Sequence, residues 1–220
     1  MPEISASILS IDSEKSMKIL HELDEAKIDY FHIDVMDGVF VERNTSDIMY
    51  RYCSEVKQIS TIPLDVHLMV KDIKKYVDDY LAFEPSIITF HLEAIETEKE
   101  GMELIKYINS NGVKCGISIS PETDVEEIYK YLPHIHMALI MTVVPGKGGQ
   151  ALIPETIIKI KELKNYIEQN NLDTYIEADG GINLDNVKEV RLAGTDIIVA
   201  GTAITNSNNY KNVTNTLKSE

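Results

Sequence analysis

The sequence predicts a single α/β domain folded as a closed (β/α)8 barrel, and three observations carry that prediction. Eight short runs rich in β-branched residues recur from one end of the chain to the other. Longer amphipathic segments separate them, the alternation expected of parallel strands joined by helical crossovers. Polar residues able to do chemistry gather toward the later ends of these runs, the face on which such barrels hold their sites.

The elements can be justified in chain order. Ile4 to Ile8 is the first strand, and Asp12 with Ser13 supplies N-cap chemistry for the helix after it. Tyr30 to Val35 is the second strand and Leu64 to Leu68 the third, with Asp72 opening the next helix. Ile87 to His91 is the fourth. Glu96 to Glu100 reads as a solvated helix face, and Asn111-Gly112 ends that helix just before the fifth strand, Val113 to Ile119. Asp124 to Glu127 reads as another solvated helix face, ahead of the sixth strand, Ala138 to Val143. Pro154 with Glu155 suits a first helical turn. In the helix they open, Ile157, Ile160, Leu163 and Ile167 share one face, while Lys159, Lys161, Glu162 and Lys164 fall elsewhere. Thr174 to Ala178 is the seventh strand, with a helix capped near Asn183 behind it. Ala193-Gly194 stops that helix before the eighth strand, Ile197 to Ala200. No Pro/Ser-rich linker divides the chain, so residues 1–220 read as one domain. A doubly wound open sheet is the competing fold, but no G-x-G-x-x-G follows the first strand.

Composition removes several functions. With 21 Lys plus Arg against 36 Asp plus Glu, the net charge of −15 offers no basic stripe for nucleic acid and is repelled by anionic membrane surfaces. The longest nearly apolar run, Met137 to Val144, is far short of the ~20 residues a bilayer span needs. Cys53 and Cys115 lie far apart with no C-x-x-C pair, and the Met1-Pro2-Glu3 start has no basic segment leading into an apolar one. These features predict a soluble cytoplasmic protein without a secretory signal.

Seven polar residues sit late in predicted strands or just after them: Ser7, His32, Asp34, His67, His91, Ser118 and Asp179. Because strand side chains alternate faces, His32 pairs in direction with Asp34, and Asp65 with His67. An ionised Asp inside a barrel must be paired. Two accounts meet that demand. His32 and His67 can be core histidines bonded to Asp34 and Asp65, or His32, Asp34, His67 and Asp179 can hold a borderline divalent cation such as Zn2+, Fe2+, Co2+ or Mn2+. Three glycine-rich turns lie at the same barrel end. Gly180-Gly181 and Gly201-Thr202 suit an anion, as loops after the last two strands often do, or are ordinary tight turns. Gly146-Lys147-Gly148-Gly149 fails the P-loop pattern but can be a lid, a phosphate nest or a plain flexible loop, with Lys147 adding a cation. Met36, Met69 and Met141 near the strand ends fill core gaps or form a soft wall beside a substrate.

Taken in order, Ser7-Ile8-Leu9-Ser10, His32-Ile33-Asp34-Val35-Met36-Asp37-Gly38, Asp65-Val66-His67-Leu68-Met69-Val70, Ile88-Thr89-Phe90-His91, Met141-Thr142-Val143 with Pro145-Gly146-x-Gly148-Gly149-Gln150, Asp179-Gly180-Gly181-Ile182 and Val199-Ala200-Gly201-Thr202-Ala203-Ile204 resemble the signatures of the ribulose-phosphate 3-epimerases. The resemblance spans Ile4 to Ile204. It implies a TIM barrel that interconverts ribulose 5-phosphate and xylulose 5-phosphate with one bound divalent metal, in a homo-oligomer. By position it makes His32, Asp34, His67 and Asp179 the metal ligands, and Asp34 with Asp179 the acid/base pair. Ser7 and His67 match substrate contacts, and Gly146, Gly148, Gly149, Gly180, Gly181, Gly201 and Thr202 match the phosphate and sugar loops. The resemblance favours the metal over the core-histidine account.

Three loops depart from the family pattern. Val41 to Asp47 replaces a Val-Pro-Asn run, Val144 and Lys147 replace Asn and Phe, and Ser120-Pro121 stands where Asn-Pro is common. All three overlie the expected site, so allulose 6-phosphate is an alternative substrate. A non-catalytic phosphate-binding barrel is a further alternative, opposed by the retained His/Asp set. The Asp-x-Lys-x-x-Asp pattern of sugar-phosphate decarboxylases is absent at strand three, where Asp65-Val66-His67 stands.

Overall fold

The computed structural model describes residues 1–219, leaving Glu220, the last residue of the expected domain, outside the described residues. Eight parallel strands close into a barrel in sequence order: β1 (Glu3–Ser7), β2 (Tyr30–Met36), β3 (Leu64–Met69), β4 (Ile87–His91), β5 (Lys114–Ile119), β6 (Met137–Met141), β7 (Tyr175–Asp179) and β8 (Ile197–Ala200), with β8 pairing back onto β1. The helices are α1 (Ser16–Glu25), α2 (Ser46–Ile59), α3 (Ile73–Leu81), α4 (Glu98–Ser110), α5 (Glu155–Gln169), α6 (Val187–Leu192), α7 (Thr202–Thr205) and α8 (Tyr210–Ser219). No described helix is long and apolar enough to cross a membrane.

Strand parity divides the core in two. Ile4, Ile33, Val66, Phe90, Ile117, Ile140, Ile176 and Ile198 pack with the helices in the main apolar cluster. The opposite parity faces the lumen. Its floor is a small cluster of Ile87, Met137 and Ile197 with Tyr30, one residue from each even-numbered strand, as barrel layering requires. Above that floor the lumen turns polar: Ser5, His32, Asp65, His67, Thr89, His91, Ser118 and Glu177 are all buried. Most barrels fill these layers with branched aliphatics, and burying ionisable groups here requires that they satisfy one another.

Several element boundaries differ from the sequence expectation. Asp12 makes a local turn, accepting from the Glu14 amide, and α1 starts only at Ser16. Asp72 does cap α3, accepting from the Lys75 amide. Asn183 opens a turn, so α6 begins at Val187 behind Asn186. The unit after β5 has no α-helix. Its connection is two 3₁₀ turns, Val125–Ile128 and Leu132–His134, in place of the helix face read at Asp124 to Glu127. Val125, Ile128 and Tyr131 are buried at a spacing of three, the 3₁₀ period, and Pro133 obstructs an α-helix there.

That helix-poor segment is held by a lysine assigned from its period to a polar face. The Lys159 ammonium on α5 turns inward and donates to the backbone carbonyls of Ser120, Pro121 and Thr123. Lys159→Met keeps the aliphatic stem and removes all three charge-assisted bonds. The expected cost is about 2 kcal/mol, read as a lower urea midpoint at unchanged slope. An unchanged midpoint would mean that the loop holds itself.

Candidate active site

The register of β2 against β3 builds the site. His32 lies opposite Asp65 and Asp34 opposite His67, so each imidazole faces a carboxylate on the neighbouring strand. His32 Nδ1 and Asp65 Oδ2 are 2.7 Å apart, and Ser5 donates to the same oxygen at 2.7 Å. With its Nδ1 proton held by Asp65, the His32 ring presents Nε2 toward Asp34 Oδ1 at 3.4 Å and Asp179 Oδ2 at 3.7 Å. His67 Nδ1 lies 3.5 Å from each of the same two oxygens. These four ligand atoms, from His32, Asp34, His67 and Asp179, lie within 4.8 Å of one another.

The fit to a metal rests on two observations. His32 Nε2 and His67 Nδ1 are buried without a hydrogen-bond partner, although both point into the quartet. An orphaned ring nitrogen in a dry site is costly unless a ligand satisfies it. The spacing is also right. Bonds of 2.0–2.2 Å to N and O ligands in a tetrahedron give edges of about 3.3–3.6 Å, close to the four distances above. The His/Asp set therefore fits a divalent cation, and its two carboxylates would neutralise the charge.

Electrostatics tie the set together. Burial disfavours charge on His32, but Asp65 and then Asp34 outweigh it and hold the imidazole well above its ordinary range. His67 is likewise raised, with Asp179 and Asp34 overcoming burial. Burial pushes the Asp34 and Asp65 carboxyls up, yet the His32 charge wins at both, and both sit below the ordinary carboxylate range. Glu177 is the counterexample. Fully buried and facing Asp65, its carboxyl is driven well above the usual range. Glu177 precedes Asp179 by two and so shares its strand face, the one sequence signal that marks it as lumenal.

The remaining expected residues surround the carboxylates. Ser7 Oγ donates to Asp34 Oδ2 at 2.7 Å, leaving Oδ1 for the quartet. Asp34 and Asp179 form the floor of a cleft that is also lined by Ser7, Met36, Met69, Met141, Gly146, Lys147, Gly148, Gly149, Gly180, Gly181, Gly201 and Thr202. All three glycine turns and the three methionines thus converge on one opening. Gln150 staples the loop after β6 by donating to the carbonyls of Val144 and Lys147. Gly181 has φ +67°, and a Cβ there would come within 2.7 Å of the Gln150 carbonyl, so the β7 turn and the β6 loop meet backbone to backbone. Arg43 and Ser120 do not line this cleft. They border an adjoining groove, shared with Phe40, Val144 and Lys147.

Comparison with known proteins gives a consistent result. A family model described as "Ribulose-phosphate 3 epimerase family" matches residues 3–205. The ribulose-phosphate 3-epimerase of Escherichia coli (strain K12) is 37 % identical over 217 residues, covering 99 % of this chain and 95 % of that relative. The protein of the same name from Methanocaldococcus jannaschii is 36 % identical over 218 residues, covering 99 % and 90 %. Among solved structures, the 3-hexulose-6-phosphate synthase from Salmonella typhimurium superposes with a TM-score of 0.72 at 12 % identity, covering 98 % of this chain and 96 % of that one. At that identity the likeness speaks for the barrel alone.

Proposed function

The chain belongs to the ribulose-phosphate 3-epimerase family, and from that premise we propose that it epimerises C3 of a ketose phosphate, ribulose 5-phosphate to xylulose 5-phosphate, by proton transfer between two carboxylates. The single observation that carries the mechanism is the convergence of two carboxylates on one glycine-walled cleft with two orphaned imidazole nitrogens buried directly behind them, all four ligand atoms within 4.8 Å of one another.

Inverting C3 means removing a weakly acidic proton beside a carbonyl and returning one to the opposite face. Asp34 on β2 and Asp179 on β7 approach from different sides of the barrel mouth, so one takes the proton from C3 and the other delivers one to the far face. Charge develops on the substrate as an enediolate between those two events. His32, Asp34, His67 and Asp179 would hold one divalent cation, with Zn2+ or Fe2+ favoured and Mn2+ or Co2+ also suited to two imidazoles and two carboxylates. When bound, such a cation supplies Lewis-acid stabilisation of that charge. Ser7 holds Asp34 in one rotamer through its 2.7 Å bond. The glycine turns at Gly146 to Gly149, Gly180-Gly181 and Gly201-Thr202 grip the phosphate with backbone amides, with Lys147 adding a positive charge, so that phosphate binding orients C3 between the carboxylates.

The test incubates the protein with ribulose 5-phosphate in D2O and follows C3 deuteration and xylulose 5-phosphate formation by NMR, with and without a chelator. A parallel arm uses allulose 6-phosphate. Deuteration with epimer formation is expected from the pentulose, lost on chelation and restored by Zn2+ or Fe2+. Exchange with the hexulose alone would reassign the substrate, and exchange with neither would overturn the proposal.

A further inference from the structure

Behind the candidate metal site lies a second line of buried polar groups. His67 Nε2, on the side of the ring away from Asp34 and Asp179, is 2.9 Å from His91 Nε2. The two rings stack at 5.0 Å between centroids with 21° between their planes. His91 Nδ1 in turn lies 3.0 Å from Glu93 Oε2. The other Glu93 oxygen accepts from the Ser120 amide at 2.7 Å and from the Thr123 hydroxyl. Both imidazoles are fully buried, and Phe40 packs on His91 at 4.9 Å.

The proton positions in this line follow from Glu93. A carboxylate only accepts, so a neutral His91 carries its proton on Nδ1 and presents a bare Nε2. Two ring nitrogens 2.9 Å apart share one proton, which must then sit on His67 Nε2. In its neutral form His67 therefore has its bare nitrogen at Nδ1, the atom that has no protein partner and faces Asp34 and Asp179.

We propose that His91 and Glu93 form a positioning relay that locks His67 in the tautomer and orientation a divalent cation requires, with the Ser120–Thr123 loop as its anchor. The inference rests on the metal reading of the preceding subsection. Neither residue touches the cleft, so neither is a catalytic residue; each acts through His67. Outer partners of this kind fix ring orientation and raise ligand basicity, and losing one typically costs 10–100-fold in metal affinity.

The experiment measures Zn2+ affinity of the full chain by competition with a chromophoric chelator, and the visible spectrum of the Co2+-loaded protein. His91→Leu removes the acceptor for His67 and is expected to weaken Zn2+ binding about 10–100-fold and to shift the Co2+ bands. His91→Gln restores an acceptor oxygen and is expected to recover most of that loss. Glu93→Gln keeps the shape but removes the charge that orders the protons, and is expected to weaken binding by a smaller factor, with a parental melting curve. Should His91→Leu fail to fold, Glu93→Gln decides the matter. Parental Zn2+ affinity in whichever of these two variants folds overturns the relay while leaving the metal site standing. An unmodified chain that binds neither Zn2+ nor Co2+ overturns both.

Discussion

Asp179→Asn is expected to lower epimerisation at least about 10³-fold, the upper part of the range for a positioned acid or base. The substitution preserves size and leaves an amide oxygen that can still face His32 Nε2 and His67 Nδ1, now 3.7 and 3.5 Å from Asp179 Oδ2. Its main effect is to remove a group able to take or give a proton on one face of C3. That produces a signature beyond lost turnover. With Asp34 alone, one epimer should still exchange its C3 proton with D2O while the other does not, and neither should convert. Metal content, measured on the same sample, separates loss of the base from loss of a ligand. Near-normal interconversion would defeat the two-carboxylate assignment.

Stripping divalent metal is expected to abolish turnover, and the affinity for added Zn2+ is expected to fall steeply with acid. The sign follows from the imidazoles. In the metal-free protein His32 and His67 are both held above their ordinary range, His32 by Asp65 and Asp34 and His67 by Asp179 and Asp34, against the opposing pull of burial. A cation needs their bare nitrogens, so loading expels protons at neutral pH. Each proton expelled makes binding about tenfold weaker per pH unit of acidification. Between pH 7.5 and 6 the Zn2+ affinity should therefore drop at least about tenfold, and calorimetry in buffers of different ionisation enthalpy should count one to two protons released. An affinity flat across that interval would mean that the imidazoles are not ligands.

Period-two reading of single strands was enough to place His32 and Asp34 on one face and Asp65 and His67 on another, and the lumen holds all four. It could not tell which imidazole meets which carboxylate. The partner of His32 Nδ1 is Asp65, across the register, whereas the core-histidine account looks along each strand to a neighbour two residues away. Register is a property of barrel closure and has no local signal. Glu177 was legible by the same parity as Asp179. Glu93 was harder to find, because its role depends on a loop from the next unit reaching back to it. Lys159 shows the limit of the helical period, which tells that a residue leaves the apolar stripe but not that its ammonium finds three carbonyls. The missing helix after β5 was foreshadowed by Pro133, set against an acidic run that otherwise reads as helical.

The layout along the chain has a consequence for how such an enzyme can change. β1 to β4 carry Ser5, Ser7, His32, Asp34, Asp65, His67 and His91, which include three members of the His/Asp quartet and most of its supporting bonds. The later half contributes Asp179 and the glycine turns that wall the cleft. The quartet and the cleft walls are therefore drawn largely from separate stretches of sequence. On the proposed mechanism, exchanges among residues 144–150 and at Gly201-Thr202 would retune which sugar is held while the proposed proton-handling core is inherited intact, a route to new substrates without relearning the chemistry.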